Sequence, residues 1–188
     1  MYARALILWF VPSLCLAYNP SAMEILSLME TALRKPDPVV VQIVRETPEG
    51  TWQREHSVRI PADSPETTAA DQDFPFPFSF LTLPTDNVLS ALKSIADGNG
   101  SVKLDRFEGS VCYLLEGRGE RLWLRKRDFI PLKLESLSAP GEWTAYIYSD
   151  LISISGEAVY PSRTEVRRNG SLVVVERVIP ARATPDEP

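Results

Sequence analysis

Residues 120–149 read ERLWLRKRDFIPLKLESLSAPGEWTAYIYS, and the fold turns on how that run divides. Leu122 and Leu124 alternate with Trp123 and Arg125, and Leu132 and Leu134 alternate with Lys133 and Glu135. A period of two marks strands with one buried and one wet face. The separators DFIP and SAPGE carry turn residues. The run therefore predicts strands over 120–127, 131–138 and 142–149, joined by short connections into an antiparallel meander.

The same pattern extends both ways. On the C-terminal side, Thr164 and Val166 oppose Arg163, Glu165 and Arg167, which predicts strands over 163–168 and 171–179. Asn169-Gly170 between them is the strongest local hairpin signal in the chain. On the N-terminal side, SVKLDR (101–106) and SVCYLLE (110–116) read as two more strands. Further back, VVVQIVRE (39–46) and TWQREHSVRI (51–60) flank the PEG turn at 48–50 and predict a hairpin.

Two helices interrupt the strands. The first can be capped by Asn19 with Pro20 in its first turn, or by a capping box of Ser21 and Glu24. Ala22, Ile25, Leu26, Met29, Ala32 and Leu33 share one face. Arg34 and Lys35 suit the negative end of the helix dipole, and Pro36 and Pro38 stop it. The second starts at Thr85 or Asp86, presents Val88, Leu89, Leu92, Ile95 and Ala96, and ends in DGNG at 97–100. About nine strands and two helices define a mainly antiparallel α+β domain. A sheet this wide must curl or close, with the helices against it. Between the hairpin and the second helix, residues 61–84 carry five prolines, and Phe74, Phe76, Phe78 and Phe80 fall two apart. If extended, the four rings point one way. The segment reads as a loop closing over an apolar interior, or as a plug at a barrel end.

The N-terminus reads as an address. Arg4 precedes the apolar run ALILWFV, Pro12 interrupts it, and Cys15 and Ala17 fit the small-residue positions before a cut at Tyr18. Residues 1–17 are expected to be a cleaved secretory signal, 18–180 a single domain and 181–188 a loose tail. Two other readings compete for the signal: a buried helix, or a lipoprotein signal acylated at Cys15, for which Leu14 is a poor fit. Without residues 1–17 the chain carries 19 basic and 25 acidic residues. That balance favours solubility and argues against nucleic acid as a partner. Cys112 is then the only cysteine and reads as a small buried hydrophobe.

Catalytic signatures are missing from the sequence. His56 is the only histidine, so no common zinc set can be built from histidines, and no cysteine cluster exists. No GxSxG elbow occurs, and EGRGE at 116–120 lacks the phosphate-loop pattern. No carboxylate pair is enforced by spacing. Neither catalytic residues, nor metal, nor cofactor is expected. The apolar and aromatic residues Phe74, Phe76, Phe78, Phe80, Leu89, Leu92, Trp123, Trp143, Tyr146 and Tyr148 remain as candidates to line a pocket. Trp123, Arg125 and Arg127 are expected to share one face, as a headgroup or partner contact or as a solvated strand.

The stretch from Val111 to Val178 resembles the periplasmic outer-membrane lipoprotein-sorting family, the LolA/LolB-like superfamily. The resemblance is carried by Pro131-Leu132-Lys133-Leu134, by Gly141, Trp143, Tyr146, Tyr148, Asp150 and Gly156, and by the strand from Pro161 to Val166 with Gly170 after it. It implies an incomplete antiparallel β-barrel with helices as a lid, and an apolar cavity that shields lipoprotein acyl chains. The expected partners are acylated lipoproteins or lipids and an inner- or outer-membrane envelope protein, with the chain a soluble periplasmic monomer. A structural or regulatory envelope protein of the same fold is the alternative. An esterase is a third reading, opposed by the lack of a nucleophile–base pair.

Overall fold

The structure, a computed structural model, describes residues 20–33, 39–53, 58–60, 92, 95, 100–154 and 158–180. Residues 1–17, the Phe74–Phe80 segment, Leu89, His56 and residues 181–188 lie outside them.

Among the described residues the elements are α1 (Ala22–Ala32), β1 (Val39–Thr47), β2 (Gly50–Gln53), β3 (Val58–Ile60), β4 (Ser101–Phe107), β5 (Ser110–Glu116), β6 (Glu120–Arg125), β7 (Pro131–Ala139), β8 (Glu142–Ile154), β9 (Ala158–Arg168) and β10 (Ser171–Pro180). The strands form one antiparallel sheet in the order β2-β1-β10-β9-β8-β7-β6-β5-β4, with β3 also on β1. From β4 to β10 each strand pairs with its sequence neighbour, as a meander must. β10 then returns to the N-terminal hairpin through β1. The sheet ends at β2 and β3 on one side and β4 on the other, and is not closed into a barrel.

Ser21 caps α1, with a full capping box. The Glu24 amide donates to the Ser21 hydroxyl, and the Ser21 amide donates to the Glu24 carboxylate at 2.8 Å. Ala22, Ile25, Leu26, Met29 and Leu33 are buried in one cluster with residues of the sheet, so α1 covers one face, here the inner face. Leu92 and Ile95 of the second apolar helix pattern are helical and fully buried in that cluster. Two glycines make room: a Cβ on Gly117 would stand 2.7 Å from the Ile95 Cα, and one on Gly100 would stand 2.1 Å from the Ile95 carbonyl oxygen.

The hairpin signal at 169–170 is a two-residue turn with both φ positive, 50° and 85°. The Asn169 side-chain oxygen accepts from the Trp143 amide at 2.9 Å, tying the turn to β8. Two differences from the sequence reading have local causes. β6 stops at Arg125, not 127, because Phe129 takes φ 58° and its amide donates to the Arg125 carbonyl at 2.8 Å. Arg127 therefore sits in a turn beside Asp128, not on a face with Trp123 and Arg125. β8 and β9 run on to a long hairpin, Leu151 opposite Pro161 and Ile154 opposite Ala158.

A covered inner face as the candidate functional site

Register decides what the inner face presents. One cross-strand rank runs Val174–Val166–Tyr146–Leu134–Leu122–Leu115–Val102, through seven strands from β10 to β4. It is apolar throughout apart from one phenol. Val166, Tyr146, Leu122 and Leu115 are completely buried.

The next rank is polar at its β1 end. Arg45, Glu176, Thr164 and Tyr148 are consecutive partners on β1, β10, β9 and β8. Glu176 and Thr164 are buried, and the Arg45 Nε donates to the Glu176 carboxylate at 2.8 Å. Burial pushes the Tyr148 phenol well above its ordinary value, and nearby Tyr146 and Glu176 add to this. Further along β9, burial pushes Tyr160 up to about 12, and its hydroxyl donates to the Leu33 carbonyl at 3.3 Å. Both phenols stay protonated at any physiological pH. The Tyr160 bond anchors the C-terminal end of α1 to β9.

Of the pocket-lining candidates, Tyr146, Tyr148 and Leu92 are brought together in the covered cluster. Trp123 and Trp143 are not. Both lie on the outer face, between inward Leu122 and Leu124 on β6 and before inward Thr144 and Tyr146 on β8. Trp123 belongs to a second apolar cluster with Cys112 and Leu114, against Phe107 and Leu132. Its indole N–H donates to Asp105 at 2.8 Å, and the Lys133 ammonium lies 4.7 Å from the ring centroid. Trp143 is covered by the Arg121 guanidinium at 5.0 Å. Rings of this kind pack well under cations, and the structure does not bring these two tryptophans into the covered cluster. Cys112 is a free thiol, fully buried, and burial pushes its pKa up. Phe74, Phe76, Phe78, Phe80 and Leu89 fall outside the described residues.

The polar partners Arg45, Glu176 and Thr164 were missed as candidates. Their signal was present: Glu176 interrupts the inward series Val174, Glu176, Val178. Among the described residues, no group of three or more His, Cys, Asp or Glu could hold a metal ion. No helix there is long and apolar enough to cross a membrane.

No family model and no curated protein matches the sequence. Solved structures do match in shape. A Vibrio parahaemolyticus domain named as an outer-membrane lipoprotein-sorting protein superposes with a TM-score of 0.52 at 9% identity, over 87% of this chain and 94% of that one. A LolA superfamily protein from Nitrosomonas europaea gives 0.45 at 15% identity, over 89% and 96%. The chain thus shares the fold of the Vibrio domain, at an identity too low to show more than the fold.

Proposed function

We propose that the chain is a non-enzymatic periplasmic carrier that holds lipoprotein acyl chains, or another lipidic ligand, against the inner face of its open sheet. One observation carries the reading: the seven-strand apolar rank from Val174 to Val102 faces a covering helix, in a sheet whose edges are not joined. Acyl chains would be held by removal from water, about 0.8 kcal/mol for each buried CH₂. No chemistry is required of the protein. The Phe74–Phe80 segment and Leu89 would complete the lining, and residues 1–17 would direct export. The likeness to a domain named for lipoprotein sorting supports this reading.

The test is native mass spectrometry of the protein purified from its host envelope, with added acylated peptide as a second arm. Bound lipid, or uptake of the peptide, is expected. Phe76→Asp should weaken uptake about tenfold or more while leaving the unfolding midpoint within error. Repeated recovery of empty protein that also ignores acylated peptide defeats the carrier reading. It would favour a regulatory envelope protein acting through protein contacts.

A further inference from the structure

At one end of the inner face, two strands run from apolar to basic side chains toward their tips, with a third strand, uncharged to its end on this face, between them. Along β5 the inward residues run Leu115, Tyr113, Val111; along β4 they run Val102, Leu104, Arg106; β6 continues through Leu122 and Leu124 to Lys126 in the following turn. Cross-strand pairing makes these into successive ranks. Val102, Leu115 and Leu122 form the inner one, and Leu104, Tyr113 and Leu124 the middle one. The last has Arg106 paired with Val111, whose carbonyl accepts from the Lys126 amide at 2.9 Å. Burial falls off in the same direction along β4 and β5, while Leu124 on β6 stays fully buried. Leu115 and Leu122 are fully buried, Tyr113 is half-buried, Leu104 is 60% exposed and Val111 is 42% exposed.

Two large aliphatic side chains thus stand in water at the edge of an apolar interior, with basic residues beyond them. Arg106, Lys126 and Arg127 are all exposed there. The Lys126 ammonium lies 5.8 Å from the Tyr113 ring centroid, and that ring stacks on Phe129 at 6.0 Å. Of the neighbouring carboxylates, Asp128 is shared by Arg125 at 2.7 Å and Arg127 at 3.2 Å, and Asp105 binds the Trp123 indole on the outer face. Glu108 in the adjoining turn offsets part of the positive charge.

We infer that this β4–β6 tip docks on an anionic bilayer surface, with Leu104 and Val111 entering the headgroup layer and Arg106 and Lys126 pairing with lipid phosphates. Charge complementarity selects the occupant. The whole chain is acidic, 25 acidic residues against 20 basic, so an anionic membrane repels most of its surface and attracts this patch. The exposed aliphatic pair adds the apolar component of an interfacial site. Docking here places the uncovered end of the apolar ranks against the membrane. The inference goes beyond the carrier reading and is measured without cargo, so the two can fail separately.

The experiment is cosedimentation of the mature protein with phosphatidylcholine vesicles, with and without phosphatidylglycerol. Binding is expected only to the anionic vesicles, and to weaken with salt. The double variant R106E/K126E should lose about tenfold or more of that binding. Both residues are exposed, and circular dichroism checks the fold. Arg118→Glu removes the same kind of charge at the opposite turn of the β5–β6 hairpin and should bind as wild type. Leu104→Ser should lower the binding that survives at high salt. The inference is overturned if wild-type protein ignores anionic vesicles, if R106E/K126E binds like wild type, or if Arg118→Glu is equally impaired.

Discussion

Glu176 carries a carboxylate where its inward neighbours Val174 and Val178 carry methyl groups, and it is 1% exposed. Such a charge persists only with a partner, and Arg45 on β1 supplies one. The two are cross-strand neighbours, so the pair also joins β10 to the N-terminal hairpin. The desolvation cost makes the pair a weak source of net stability, yet breaking it from one side leaves a charge in an apolar setting. Arg45→Ala is expected to cost about 3–5 kcal/mol in urea unfolding. Glu176→Gln keeps the shape without the charge and should cost less. By contrast the Lys103–Glu116 contact sits at the surface, and Lys103→Ala should cost under about 1 kcal/mol. Equal costs for Arg45→Ala and Lys103→Ala would show that water reaches Glu176.

Strand and helix identities were legible wherever the period of two or of 3.6 was unbroken. β5, β6 and β7 begin where alternation begins, and α1 starts at its capping box. The far half of the β8–β9 hairpin was not legible, because Asp150 takes φ 52° and Pro161 sits in β9. Both read as breaks. The structure tolerates them: the Ser162 hydroxyl bonds the Asp150 carbonyl, and β10 pairs with β9 only as far as Arg163, so Pro161 lies past that ladder. The docking of the second helix pattern was equally hidden, since it depends on absent side chains. At Gly117 the missing Cβ lets Ile95 lie against the β5–β6 turn. Gly117→Ala is expected to cost about 1–3 kcal/mol by overpacking against backbone. Gly109→Ala, which meets nothing within 4 Å, isolates the cost of positive φ alone. A larger penalty at Gly109 than at Gly117 would mean that the Ile95 contact is not a structural constraint.

The two faces of the whole sheet obey different physics. Inward residues could be read from alternation, which already set Trp123 opposite Leu122 and Leu124, but Trp143 could not be placed that way. Tryptophan suits either face, and only register put Trp143 outside. The polar rank through Glu176, Thr164 and Tyr148 likewise exists only once four strands are aligned. The outer face is held by charge: Lys103, Glu116, Arg121, Glu135 and Lys133 form a continuous network across β4 to β7, and Glu165 bridges Arg163 and Arg167 on β9. These contacts hold several carboxylates below their ordinary range. The Trp123 indole does so for Asp105, Lys103 for Glu116 and Arg167 for Glu165. At Asp128 burial works the other way, but the Arg125 guanidinium outweighs it. Each such group binds a proton less readily folded than unfolded. Its contribution is therefore complete above the unfolded carboxylate values, about pH 4, and is lost as pH falls through the lower folded values. The urea midpoint should be flat from neutrality down to about pH 5 and fall clearly by about pH 3. Glu165→Gln removes one of these groups and should show a smaller acid-induced fall than wild type. A wild-type midpoint at about pH 3 equal to that at neutrality would mean that the outer-face network adds nothing to stability.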